Sequence, residues 1–258
     1  MDKKSSREML LHYAVSAIGG FLGGYAIYNH CDIFGNAQTA NLIHLVGKLF
    51  SADFSGLIFL ILSFLAFAAG NVFFVIAEKF IRRDVRLISL AMTSCAVLLI
   101  GLFPNISNDY VAVLPILFVT PIQWNSFKTA GGYASSTIFS SNNVREAVMS
   151  LTRYIIDKDS EQGRKAKFFW LTLLSFHSGA ALACVAGIFL GVNSVWFCAL
   201  PIVLSFGAYF LLNSARLKKS SASTPNSSRK VDIVKPSLPD RFRAVSNKLK
   251  STLQSDLG

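Results

Sequence analysis

Six apolar stretches dominate this chain, at about 10 to 28, 54 to 78, 85 to 103, 110 to 127, 167 to 190 and 194 to 212. A helix needs roughly 20 such residues, at 1.5 Å each, to cross a hydrocarbon core about 30 Å thick. A chain passing through lipid must satisfy its own backbone hydrogen bonds, so stretches of this kind are helices. With 52% of its residues hydrophobic, 15% charged and a mean hydropathy of +0.48, the chain is too apolar for a soluble domain of this length. The expected fold is an all-α integral membrane protein with six transmembrane helices. The first stretch lacks a small-residue cleavage site and is followed by five more like it, so it reads as a span and not as a cleavable signal.

Basic residues orient the spans. Of the 25 Lys and Arg residues, all but Lys48 lie at or beside four segments: before the first span, between the second and third, between the fourth and fifth, and in the tail. The positive-inside rule places these segments, and with them both termini, in the cytoplasm, the membrane being an inner or plasma membrane. The net charge of +11 is then mostly topology, and no nucleic-acid partner is expected. The domain organisation reads as a cytoplasmic N-terminus at 1–9, a membrane domain at 10–212, a disordered linker at 213–238 and an amphipathic basic tail helix at 239–258. In that tail Phe242, Val245, Leu249 and Leu253 share one helical face, flanked by Arg241, Arg243, Lys248 and Lys250. Such a helix lies on anionic lipid head groups; the other reading is a wholly disordered basic tail.

Catalytic signatures are missing. Cys31, Cys95, Cys184 and Cys198 have no paired spacing, and His12, His30, His44 and His177 include no pair three to five residues apart. Neither metal nor cofactor is expected. A Ser-His-Asp pattern, a nucleophile elbow, a phosphate-binding loop and paired intramembrane carboxylates are all absent, so an enzyme ranks behind every other reading.

An internal repeat organises what polar chemistry remains. Each half runs span, polar motif, span, span. Thr39-Ala40-Asn41 aligns with Ser140-Ser141-Asn142, and after each motif comes an "LSF" (62–64 and 174–176), with Phe67-x-x-Gly70 against Phe176-x-x-Gly179. Three spans per half is an odd number, so the halves are inverted relative to each other, as is common in transporters. The competing explanation is chance recurrence in helices rich in Leu, Phe and Gly.

Four stretches, "GGFLGGY" (19–25), "IFGNAQTANLIHL" (33–45), "PIQWNSF" (121–127) and "STIFSSNNVREAV" (136–148), resemble the YoaK-like family of predicted membrane proteins, the domain of unknown function 1275. The resemblance covers roughly residues 10 to 212. It departs from the family's Gly-Tyr-x-Asp element in the first span, since Gly20-Phe21-Leu22-Gly23 carries no carboxylate there. It implies a membrane domain but no activity, because none is established for the family.

Asn36, Gln38, Thr39 and Asn41 crowd the exit of the first span, where an unpaired amide or hydroxyl in lipid costs several kcal/mol. Two readings stay open for 34–50 and its counterpart 137–151. In one, Asn36 or Thr39 caps a surface helix. In the other, both segments are half-helices that enter the protein from opposite sides, with Thr39, Asn41, Ser140 and Asn142 facing a polar cavity. Gln123 and Asn125, after Pro121, and His177, at the centre of the fifth span, extend the candidate lining. Gly19, Gly20, Gly23, Gly24, Gly70 and Gly179 form flat faces for close helix packing, within one bundle or in a homo-oligomer. The expected activity is passage or binding of an unknown small solute between the inverted repeats. A non-transporting binding or scaffold protein is the alternative.

Overall fold

The computed structural model describes residues 2–30, 34–36, 38–51, 54–104 and 109–222, with 109–110 and 215–222 as backbone alone. The expected tail helix, and the expected linker from residue 223 onward, lie outside them. The described chain is mostly helical, with one short hairpin and non-helical connecting runs: α1 Lys3–Asn29, α2 Thr39–Phe50, α3 Phe54–Phe80, α4 Val85–Leu102, α5 Asp109–Ser126, β1 Thr129–Ala130, β2 Tyr133–Ala134, α6 Ser141–Asp157, α7 Ser160–Leu190, a 3-10 segment Gly191–Cys198, and α8 Ala199–Ala222. Most of the segment expected as a cytoplasmic N-terminus at 1–9 belongs to the opening turns of α1. The segments at 34–50 and 137–151 become helical only at Thr39 and Ser141, each after a short non-helical run.

Four helical stretches are long and apolar enough to cross a membrane: Lys3–Asn29, Phe54–Phe80, Val85–Leu102 and Ser160–Ser214, with Val111–Ser126 as a shorter apolar helix. The last of the four is interrupted where Gly191 adopts φ 54°, a left-handed conformation that glycine enters without steric cost. Polar side chains set two of the helix starts. The Asp84 carboxylate accepts the Arg86 backbone N–H at 3.0 Å to open α4, and Asp159 accepts that of Glu161 at 2.8 Å to open α7. These satisfy donors that a helix cannot bond within itself.

Burial distinguishes the centre from the rim. The apolar window of α1 is 72% buried, whereas that of α3 is 28% buried, so α1 is the central helix and α3 presents most of its surface outward. Close approach around α1 depends on missing side chains. A Cβ on Gly20 would overlap the Phe176 carbonyl of α7, and one on Gly179 would overlap the Ala17 carbonyl of α1. The α3–α5 pair is built likewise, with no room for a Cβ on Gly70 beside the Phe118 carbonyl. Without a hydrophobic driving force between helices in lipid, such backbone-to-backbone van der Waals contact carries the packing.

Two apolar crevices flank the centre. One, of about 710 Å³, lies between α1, α7 and α8 and is walled by Leu10, Tyr13, Ala17, Leu204 and Gly207 among others. The second, of about 630 Å³, lies between α3, α4 and α5 and includes Ala66, Leu99, Val111, Leu114 and Phe118.

Candidate functional site

The bare face of α1 at Gly19 and Gly23 receives the two non-helical runs. A Cβ on Gly19 would overlap the Thr137 carbonyl, and one on Gly23 would lie 2.6 Å from Asn36 Nδ2 and 2.9 Å from the Phe34 ring. Glycine here is therefore a packing requirement that brings segments more than a hundred residues apart to one place. Asn36 joins them. Its Nδ2 donates to the Gly19 carbonyl at 2.7 Å and to the Ile138 carbonyl at 2.8 Å, and both Asn36 and Ile138 are fully buried.

Helix α5 closes the junction with two buried side chains. Thr120 Oγ1 donates to the Gly35 carbonyl at 3.1 Å, and Gln123 Nε2 donates to the Val15 carbonyl and to Thr137 Oγ1, each at 3.2 Å. On the side towards the start of α1, Ser135 Oγ lies 3.0 Å from His12 Nε2 and donates to Asn143 Oδ1 at 2.9 Å, while Asn143 Nδ2 donates to the Ser136 carbonyl at 2.7 Å. Beside His12 is a small polar pocket of about 110 Å³ bordered by Glu8, Arg86 and Thr129.

Not every polar atom is satisfied. Asn36 Oδ1, both polar atoms of the Gln38 side chain and Ser140 Oγ are buried without a hydrogen-bond partner among the described residues. Gln38 and Ser140 stand at the N-cap positions of α2 and α6, yet neither side chain caps its helix. The capping role considered for Asn36 and Thr39 is not what the geometry contains: Asn36 turns to Gly19 and Ile138, and Thr39 is exposed in the first turn of α2.

Residues 11–208 match the family described as "Protein of unknown function (DUF1275)". The chain belongs to this family. No curated protein and no solved structure matches it. The DUF1275 match begins in α1 and ends in α8, so it takes in both non-helical runs, the glycine face and every partner in the junction.

The structure brings together only part of the site expected in this DUF1275 chain. Asn36 and Gln123 meet at the junction, and the unpartnered atoms of Gln38 and Ser140 belong to the same two runs. Asn41 is buried in α2. Asn125 lies elsewhere, donating to Asn71 Oδ1 at 3.0 Å and to the Pro121 carbonyl at 2.8 Å, so it couples α5 to α3. Asn142 accepts from Arg145 at 3.1 Å and borders a cleft of about 430 Å³ with Tyr133, Glu146 and Lys165. His177 is exposed on α7 and donates from Nδ1 to the carbonyl of its own helix at Leu173, 2.8 Å away. It does not reach the junction.

Thr120, Ser135, Thr137, Asn143 and His12 complete the junction but were not among the expected site residues. His12 and Thr120 had a signal, being polar groups within apolar spans. Beside the junction, the cleft carries the charges. Glu146 bonds Lys165 Nζ at 2.6 Å and Arg145 at 2.8 Å, and the Lys165 hydrogen bond holds its carboxyl below the usual range. Burial, reinforced by a 2.6 Å hydrogen bond to Glu161, pushes the Tyr133 hydroxyl up to about 12. Among the described residues no group of three or more His, Cys, Asp or Glu could hold a metal ion.

Proposed function

We propose that this DUF1275 protein has six membrane spans arranged as two inverted three-span repeats and passes a small polar solute through the junction between them. The break at Gly191 supports reading Ser160–Ser214 as two spans, and α5 supplies the sixth. A shared offset over the first span and motif of each half supports the repeat, while Gly70 and Gly179, which follow, are 109 residues apart. Ser140 lies 101 residues after Thr39 and Phe118 lies 101 after Ala17, and Phe118 and Ala17 are the residues whose carbonyls receive Gly70 and Gly179. The crevices obey the same offset, Leu10 and Tyr13 walling one where Val111 and Leu114 wall the other.

The observation that carries the functional reading is that Oδ1 of fully buried Asn36, at the meeting point of the two runs, has no hydrogen-bond partner among the described residues. A buried acceptor without a partner costs about 1–3 kcal/mol, and the Gln38 and Ser140 atoms add to that cost. Groups of this kind are retained where a polar solute or water completes their bonds. The described arrangement is a closed form, in which opening separates Asn36 from Ile138 while each half keeps its glycine-packed helix pair. The basic residues orient both termini to the cytoplasm, and the basic tail adds attraction to anionic lipid.

The complete burial of Asn36 and Ile138 supports a second reading, a non-transporting binding or scaffold protein. Flux separates the two. Proteoliposomes are loaded with a panel of small neutral and ionic solutes, and release is compared for wild type, Asn36→Leu and Asn125→Ala. Solute passage lost in Asn36→Leu and kept in Asn125→Ala supports a pathway at the junction. Flux for no solute in the panel, from correctly inserted protein, favours the scaffold.

A further inference from the structure

The crevice between α1, α7 and α8 continues, past Leu10 and Tyr13, into a second apolar cavity of about 510 Å³ between the opening turns of α1 and α7. The two cavities share those residues as a common wall; together they make an apolar groove along α1. Its mouth is basic: Arg164 and Lys167 border the second cavity beside Ser6, Met9 and Phe168. Arg164 is paired with Glu161. Lys167 is exposed and makes no ion pair among the described residues. Deeper in, Gly207 leaves the wall open, since a Cβ there would meet nothing within 4 Å. Among the described residues, none lining the related crevice between α3, α4 and α5 is charged.

We infer that this groove binds one anionic phospholipid of the leaflet at the start of α1, with the phosphate at Lys167 and Arg164 and an acyl chain in the crevice beside Gly207. A narrow apolar channel with cations at one end is complementary to an amphiphile with a negative head and a hydrocarbon tail. A zwitterionic lipid satisfies the channel but not the charge. The described lining of the crevice between α3, α4 and α5 offers hydrocarbon contact alone, so the preference for negative charge belongs to the groove beside α1. The inference rests on the chain's lying in a bilayer and is independent of solute passage.

The test uses full-length protein, basic tail intact, in detergent micelles. Retained lipid is counted by native mass spectrometry after equilibration with dioleoyl phosphatidylglycerol or dioleoyl phosphatidylcholine. Wild type should retain the phosphatidylglycerol preferentially, and Lys167→Glu should lower that retention about fivefold or more, as expected for a basic residue at a charged lipid surface, with phosphatidylcholine unchanged. Gly207→Trp, which fills the open crevice, should lower retention of both lipids, and soluble glycerol phosphate should not compete. Lys167 is exposed, so its substitution leaves the fold intact and keeps the test decisive even if the tryptophan variant misfolds. Equal retention of the two lipids by wild type, or phosphatidylglycerol retention unchanged in Lys167→Glu or in folded Gly207→Trp, overturns the assignment.

Discussion

Asn36 Nδ2 sits 2.8 Å from the carbonyl oxygen of Ile138, a residue 102 positions further along the chain. That bond ties two non-helical runs across the glycine face of α1. Replacing Asn36 with Leu removes the donor from the Ile138 and Gly19 carbonyls and should cost about 1–3 kcal/mol. The thermal midpoint of purified full-length protein should fall accordingly. Asn125→Leu, at a half-buried pair between α3 and α5, should lower it less.

Glycine substitutions should divide sharply by position. Gly20→Ala, Gly70→Ala and Gly179→Ala each force a methyl into a backbone carbonyl, an overpacking cost of about 1–3 kcal/mol or more. Gly47→Ala meets nothing within 4 Å and should stabilise α2 by roughly 0.5–1 kcal/mol. The monodisperse fraction after size-exclusion chromatography, with the thermal midpoint, ranks the four. A tolerated Gly179→Ala beside a damaging Gly70→Ala would count against the proposed repeat.

Stability should also depend on pH through Glu146. Its folded carboxyl is held below the ordinary value, chiefly by Lys165, so the unfolded state binds the proton more readily. The resulting stabilisation is complete above the unfolded carboxylate's pKa of about 4.3 and disappears as pH falls through the lower folded value. Thermal midpoints measured from pH 7 down to 3 should therefore decline less steeply in Glu146→Gln than in wild type. Parallel curves would remove Glu146 from the account.

Orientation is open to direct labelling. In a cysteine-free background, Ser51→Cys, beyond the exposed end of α2, should react with an impermeant maleimide on intact cells, while Ser160→Cys, at the start of α7, should react only after permeabilisation. Reaction of Ser160→Cys from outside reverses the assignment of both termini.

What could be read from the sequence follows from what lipid demands. Apolar length and small-residue spacing are one-dimensional properties that the helices carry directly, with close helix contacts at Gly20, Gly24, Gly70 and Gly179, whereas Gly19 and Gly23, expected in the same role, meet the non-helical runs. Azimuth is harder. His177 sits at the middle of its stretch in the sequence, but Phe176 is the residue that meets α1, and one step along a helix turns about 100°. That rotation takes His177 to the outside. The junction was half legible for another reason: Asn36 and Gln123 are conspicuous as amides, whereas their partners at Gly19, Val15 and Ile138 are backbone carbonyls, which no residue type announces. Likewise the late starts of α2 and α6 leave Thr39 exposed and Asn142 beside the charged cleft.

The burial of α1 imposes an order on biosynthesis. Its close partner along the Gly20 and Gly24 face is α7, which begins at Ser160, so ribosomes must add more than a hundred residues after α1 emerges before that partner exists. At roughly 5–20 residues per second, the nascent chain holds α1 without its neighbour for on the order of ten seconds. During that interval its bare glycine stripe, with His12 and Ser16, faces lipid or the insertion machinery. The helix that becomes the centre of the finished protein is thus the one most dependent on a temporary companion while the chain is being made.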